Sequence, residues 1–164
     1  LQQVNFVVRL RETLARHPLV KPASLELEVL ETSALEDMAG VSQVIAQCMQ
    51  IGVEFALDDF GTGYSSLSHL HRLPVEFLKI DKSFIADIDV DKDRKAIVRT
   101  ILAMAKSLGI RTIAEGVERP AHQVILGEFG CDIGQGYLYS RPMPFEKFQA
   151  FLEHNQQRNT GSEN

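Results

Sequence analysis

Thiols are scarce in these 164 residues: Cys48 and Cys131 are the whole complement. Two cysteines this far apart exclude a disulfide framework or a zinc ribbon, and Cys48, set in a helical pattern, reads as a small core residue. Also missing is any apolar run near the roughly 20 residues that a membrane-spanning helix needs, and no signal peptide is visible. Positive charge is in the minority, with 17 Lys and Arg against 22 Asp and Glu, a net charge of −5 and a pI near 5.5. That balance argues against a DNA or general nucleic-acid binder. It leaves room for an anionic substrate whose charge is met by a bound cation. The expected setting is a reducing cytoplasm, and Leu1 in place of a methionine suggests a piece of a longer protein.

What is present suits one domain with a real core, since 45% of the residues are hydrophobic and 24% charged. The organising stretch is Val53 to Leu67, V-E-F-A-L-D-D-F-G-T-G-Y-S-S-L. Phe55-Ala56-Leu57 suits a buried strand of a parallel sheet. Asp58 and Asp59 then form an acidic tip, Gly61 and Gly63 let the chain turn, and Ser65 and Ser66 can cap a short helix through His71.

Around this stretch, strand and helix alternate. The apolar spacing predicts a helix over Asn5 to His17, a strand over Leu25 to Leu30, and a helix through Met49 opened by a Ser33/Glu36 capping box. Further strands are expected at Val75 to Ile80, Ile110 to Ala114 and Cys131 to Tyr139. Helices are expected at Lys92 to Leu108, Pro120 to Phe129 and Pro144 to His154. Residues 1–154 form the domain in this reading, and 155–164 a frayed polar tail. Five βα units in succession imply a parallel sheet. The strand tips then bring Glu28 and Glu31, Asp58 and Asp59, Lys79, Glu115 and Glu118, and Gln135 to one face.

Other acidic and histidine patterns read as structural. Asp87, Asp89, Asp91 and Asp93 alternate like a calcium loop, but the glycine and terminal glutamate that such a loop needs are missing. A solvated helix entry explains them better. His69 and His71 read as polar positions on a short helix rather than zinc ligands.

Two carboxylates about 4 Å apart repel by roughly 4 kcal/mol at an effective dielectric near 20. Gathering Glu28, Asp58, Asp59 and Glu115 at one rim therefore calls for cations, and oxygen-only ligands favour magnesium, manganese or calcium. A carboxylate shared between two ions makes a site suited to attack of water on a phosphodiester. In such a site Lys79 can orient the water or neutralise phosphate charge, and Glu115 can accept a proton.

The strings L-E-L-E-V-L-E-T, F-A-L-D-D-F-G-T-G-Y-S-S-L, L-K-I-D, A-E-G-V-E and G-C-D-I-G-Q-G-Y-L-Y-S-R-P resemble, in order and spacing, the EAL domain family. The resemblance runs from about Phe6 to Phe151. It implies a TIM-like (β/α) barrel, present here as a C-terminal portion with the first strands missing, since such a barrel usually needs about 250 residues. It implies hydrolysis of the bacterial messenger cyclic di-GMP to linear pGpG with Mg2+ or Mn2+. Glu28 and Asp58 match ligands of one metal, with Asp58 bridging, and Asp59 and Glu115 match ligands of the other. Lys79 matches the lysine that holds the water, and Gln135 a glutamine of the same inner site. Glu31 matches a glutamate that steadies the loop Phe60 to Ser66. Glu118, Arg141 and Pro142 match positions near the substrate. The family also admits a homodimer, fused GGDEF or sensory domains, and a membrane-anchored parent.

Two departures stand out. Leu30 replaces the threonine usual between the two glutamates. The glutamate of the Glu-Ala-Leu segment and a metal-binding asparagine are expected upstream of Leu1, so the 164 residues alone are expected to hydrolyse little or nothing. The alternatives are an inactive cyclic di-GMP receptor and a regulatory or dimerisation module.

Overall fold

A computed structural model describes residues 5–61, 70 and 72–160. Five strands form one parallel sheet in the order β1-β2-β3-β4-β5: β1 is Glu26–Leu30, β2 Glu54–Phe60, β3 Phe77–Ile80, β4 Arg111–Ala114 and β5 Ile133–Gly134. The described helices are α1 Phe6–Arg16, α2 Glu31–Glu36, α3 Met38–Met49, α4 Lys82–Ile85, α5 Lys92–Leu108, α6 Pro120–Glu128 and α7 Phe145–Thr160.

Register divides the strand side chains between two faces. Leu27 pairs with Phe55, Val29 with Leu57, Leu57 with Leu78, and Ile80 with Ala114. These residues join the large core, against which α1 also packs through Phe6, Val7, Leu10 and Leu14. The opposite face carries a small apolar belt of Ala56, Phe77 and Ile113. Below it, towards the strand N-termini, the Arg111 guanidinium stacks 3.9 Å from the Phe77 ring and lies 3.5 Å from Glu54. Above it, at the strand C-termini, stand the charged residues of the candidate site. Period-2 alternation thus gives one sheet an oily back and a layered, charged front.

The long helix α5 shows how local signals fix an element. Val98, Ile101, Leu102 and Ala105 recur at helical spacing and are buried. Asp91 caps its start by accepting from the Asp93 and Arg94 amides at 2.8 and 3.1 Å, and Gly109 ends it with φ 71°. The aspartates once suggestive of a calcium loop are this cap and its ion pairs: Asp87 and Asp91 face Arg94, and Asp89 faces Arg119.

Three expectations need correction. Ser33 and Glu36 do not form a capping box. Both lie inside α2, and the chain breaks at Asp37, whose side chain accepts from the Gly40 amide at 3.0 Å and caps α3 instead. The fifth strand is two residues long rather than Cys131 to Tyr139, because the chain turns after Gly134 and binds back on itself through Tyr139 N to Gly136 O at 3.1 Å. The last helix continues to Thr160, past the expected end at His154. The helix with its Ser65 and Ser66 caps, His69 and His71, and the expected loop through Ser66 beyond Gly61, lie outside the described residues.

Candidate metal centre

Strict alternation along β2 would send Asp58 to the front face and Asp59 to the back. The chain avoids this with a bulge. Pairing with β3 slips between Leu57 and Phe60, and Asp59 takes φ 56°. Aspartate tolerates this left-handed conformation better than most residues. A bulge re-aims the side chain it carries, and both carboxylates reach the same rim. Oxygens of Asp58, Asp59 and Glu115 all lie within 4.8 Å of one another.

Lys79 rises into this group from the neighbouring strand. Its ammonium lies 2.5 Å from Glu28 Oε1, 2.9 Å from Asp58 Oδ1 and 2.8 Å from Glu115 Oε1, and its side chain is only 6% exposed. Burial alone would lower the Lys79 pKa. Ion pairing with the Glu115, Glu28 and Asp58 carboxylates outweighs that effect and holds it well above the usual lysine range. The ammonium is therefore a fixed positive charge at the centre of the rim. Glu28, with its side chain 48% exposed, joins the aspartates through Lys79 rather than as a member of the close trio.

Glu115 is placed by backbone bonds on both sides. Its amide donates to Ile80 O at 3.1 Å, and Val117 N donates to Gln135 O at 3.0 Å. Gln135 N donates to Ala114 O at 2.8 Å, so the tip of β5 is stitched to the tip of β4 beside Glu115. Gly136 makes this possible, because a Cβ there would stand 2.3 Å from Val117 O and 2.4 Å from Val117 N. Glu31 is buried under the rim at the start of α2 and accepts from the Gly61 amide at 3.1 Å.

The remaining residues singled out in the sequence lie apart from the trio. Glu118 borders a separate hollow with Lys82, Asp87, Arg119 and His122. Arg141 and Pro142 line a groove with Gln135 and Tyr137, and the Arg141 guanidinium sits 4.4 Å from the Tyr137 ring. Reading the sequence missed the partners that brace these loops. Asp132 accepts from both the amide and the hydroxyl of buried Thr112, at 2.8 and 2.9 Å. Arg119 joins Asp89 and buried His122. Only the apolar context of Thr112 and the polar break at Arg119 hint at these in the sequence.

The charge balance decides what this rim can hold. Among the described residues, Glu28, Asp58 and Glu115 share the Lys79 ammonium, three carboxylates against one positive charge, and Asp59 joins Asp58 and Glu115 at the same rim. Burial first, and then the nearby Glu28 carboxylate, push the Glu26 carboxyl up on the same face. Asp58 Oδ1 is buried and has no aligned hydrogen-bond donor, although Lys79 is within ion-pair distance. A buried unsatisfied carboxylate oxygen is costly. An all-oxygen donor set with a spare buried oxygen fits a hard divalent cation such as magnesium or manganese.

A parallel α/β sheet with carboxylates and a lysine at its C-terminal strand tips defines a class in which the site is carried at one end of a barrel-type sheet. The chain belongs to the EAL domain family, whose model matches residues 1–142. It is 45% identical over 146 residues to the bifunctional diguanylate cyclase/cyclic di-GMP phosphodiesterase MucR of Pseudomonas aeruginosa, an alignment covering 89% of this chain and 21% of MucR. The solved PaMucR phosphodiesterase in complex with c-di-GMP superposes with a TM-score of 0.84 at 42% identity, covering 90% of this chain and 59% of that one. The manganese/cy-diGMP complex of Klebsiella pneumoniae BlrP1 at pH 9.0 gives a TM-score of 0.78 at 32% identity, covering 86% and 36%. The chain spans about a fifth of the length of the curated relatives it matches. Its five-stranded sheet is an incomplete part of the barrel of the solved EAL domains.

Proposed function

We propose that this chain is the metal-binding portion of a phosphodiesterase that hydrolyses cyclic di-GMP to linear pGpG. The observation that carries the reading is the bulged Asp58-Asp59 pair meeting Glu115 around a buried oxygen with no hydrogen-bond donor. Asp58, Asp59 and Glu115 would hold magnesium or manganese, with Glu28 adding a further carboxylate from β1. Such an ion supplies Lewis-acid stabilisation of negative charge on the phosphoryl oxygens.

The chain's own residues have distinct tasks in this reading. Lys79, permanently charged, orients the attacking water and offsets the phosphate charge. Glu115 accepts the water proton, and Asp59 lies beside it to fix its orientation. Water oxygen bonds to phosphorus while one phosphoester bond to a ribose 3′ oxygen breaks. Cleavage of that bond opens the ring to pGpG, and the leaving 3′ oxygen takes its proton from solvent water. Gln135 stands at the inner edge of the site, with Glu118, Arg141 and Pro142 towards the substrate, and Glu31 steadies the turn at Gly61.

No described helix is long and apolar enough to cross a membrane. A cytoplasmic location, a homodimer, and GGDEF or sensory domains on the same polypeptide belong to the proposal, as does the absence of DNA binding. So does the assignment of residues 1–154 to the domain. A second reading, a cyclic di-GMP receptor without hydrolysis, draws support from the ammonium already paired to three carboxylates. Manganese titrated into the full-length protein separates the two. Formation of pGpG supports the enzyme, and binding without product at any metal concentration supports the receptor.

A further inference from the structure

The loop that follows Glu115 is bonded to the β5 side through Val117, which donates to Gln135 O at 3.0 Å and accepts from Leu138 N at 2.9 Å. Gly116 adopts φ 69° against Lys82, Val117 is bonded to the β5 tip, and Glu118 is exposed. Beyond it, Arg119 reaches back across the hollow to segment 82–91. Its guanidinium donates to Asp89 Oδ1 at 2.8 Å and to the Ala86 carbonyl, and its Nε donates to His122 Nε2 at 2.8 Å. His122 Nδ1 in turn lies 3.4 Å from the Glu118 amide. A neutral imidazole has one bare nitrogen and accepts from one of these donors at a time, and the 2.8 Å contact is the better bond. His122 is 1% exposed and the Asp89 side chain 18%, while Ala86 and the Arg119 side chain, at 46%, are exposed. A planar guanidinium presents its donors in a rigid fork, whereas an ammonium is a compact charge with three rotatable donors on a flexible stem.

We propose that Arg119 is a positioning residue for the metal centre, clamping the Glu115–Glu118 loop to segment 82–91 through Asp89, Ala86 and His122. The inference rests on the reading of Asp58, Asp59 and Glu115 as metal ligands. The clamp touches neither metal nor substrate. It acts by holding the backbone from which the Glu115 side chain enters the rim, as groups behind a ligand hold its orientation. Arg94 serves as the internal control: it ties the same segment through Ser83 O, Asp87 and Asp91 but has no bond to the loop.

The test is Mn2+ affinity by calorimetry on the full-length protein, with thermal unfolding measured alongside. Arg119→Ala is expected to weaken Mn2+ binding about tenfold, within the range typical of groups behind metal ligands. Arg119→Lys should fail to restore it, and Arg94→Ala should lower the melting temperature while leaving Mn2+ affinity within about twofold of wild type. Where turnover is measurable, the loss should appear in kcat at limiting metal and recover at saturating metal, with KM for cyclic dinucleotide unchanged. If Arg119→Ala does not fold, Asp89→Asn reads the clamp from its other end and should weaken Mn2+ several-fold. Wild-type affinity in Arg119→Ala, or an equal loss in Arg94→Ala, overturns the positioning role alone. No Mn2+ binding by the wild-type protein overturns the metal reading beneath it.

Discussion

Lys79 Nζ lies 2.9 Å from Asp58 Oδ1, yet that buried oxygen has no hydrogen bond. The pair is close enough for charge to matter and too poorly aligned to satisfy the carboxylate. Lys79 therefore stabilises the rim without filling it. Its ammonium reduces the repulsion among Glu28, Asp58 and Glu115, and the oxygen donors of Asp58, Asp59 and Glu115 remain grouped closely enough to suit a cation.

Removing the ammonium should expose that balance. Lys79→Met keeps the unbranched stem of the side chain but leaves Glu28, Asp58 and Glu115 without their common partner. Loss of one partner from a buried ion pair costs about 3 kcal/mol or more, which urea unfolding without metal will read. The Lys79 pKa is raised above its unfolded value near 10.4. Its stabilisation is then fully present below that value and lost only as pH rises through the folded one. The Lys79→Met deficit is expected to be constant between about pH 6 and 9. Added Mn2+ should reduce it, and equal stability of the two proteins without metal would contradict the electrostatic account.

Gly136→Ala tests the stitching between β4 and β5. The new Cβ meets backbone atoms of Val117, which cannot rotate away as a flexible side chain would. Overpacking of this kind costs about 1–3 kcal/mol, and the β5 tip carrying Gln135 should move off the Glu115 loop. Weaker Mn2+ binding together with lower stability is expected, and a variant with unchanged melting and metal affinity would show that the loops pack loosely.

Asp81 provides a pH-dependent test away from the rim. It caps α4 by accepting from the Ser83 amide at 2.9 Å. Burial pushes its carboxyl up, but hydrogen bonds from Ser83 and Lys82 outweigh this and hold it below the usual range. A lowered carboxylate pKa stabilises the fold above the unfolded value near 3.9, and that gain disappears as pH falls through the folded one. Asp81→Ala should cost about 1 kcal/mol at pH 7, with the gap to wild type closing below about pH 4. A gap that persists unchanged at pH 3 would rule out the charged cap as its source.

Helix α5 was readable because its apolar period, its Asp91 cap and its Gly109 stop all lie within one stretch of chain. Lys79 was readable because a charge inside V-E-F-L-K-I has no ordinary place in a buried strand, and it is 4% exposed. The Asp58-Asp59 pair marked the site, but the way both carboxylates reach one rim did not show. It depends on a bulge against β3, and β3 is remote in sequence. The shortness of β5 was hidden because Gly134 and Gly136 serve a close backbone approach to Val117 rather than a longer strand. The Ser33/Glu36 pattern misled for the opposite reason, since a capping box is purely local, and packing instead ends α2 at Asp37, which caps α3. The Arg119–Asp89 pair spans 30 residues, and no periodicity announces it.

The most direct test of the metal centre is Mn2+ calorimetry on the full-length protein and its Asp58→Asn variant, with pGpG formation followed in the same samples. Asp58→Asn removes one charge at the oxygen that lacks a donor while preserving side-chain volume. The account predicts saturable Mn2+ binding and pGpG formation by the wild type, with Mn2+ binding weakened by about tenfold or more in the variant and product lost. Equal Mn2+ affinity in the two proteins would contradict it.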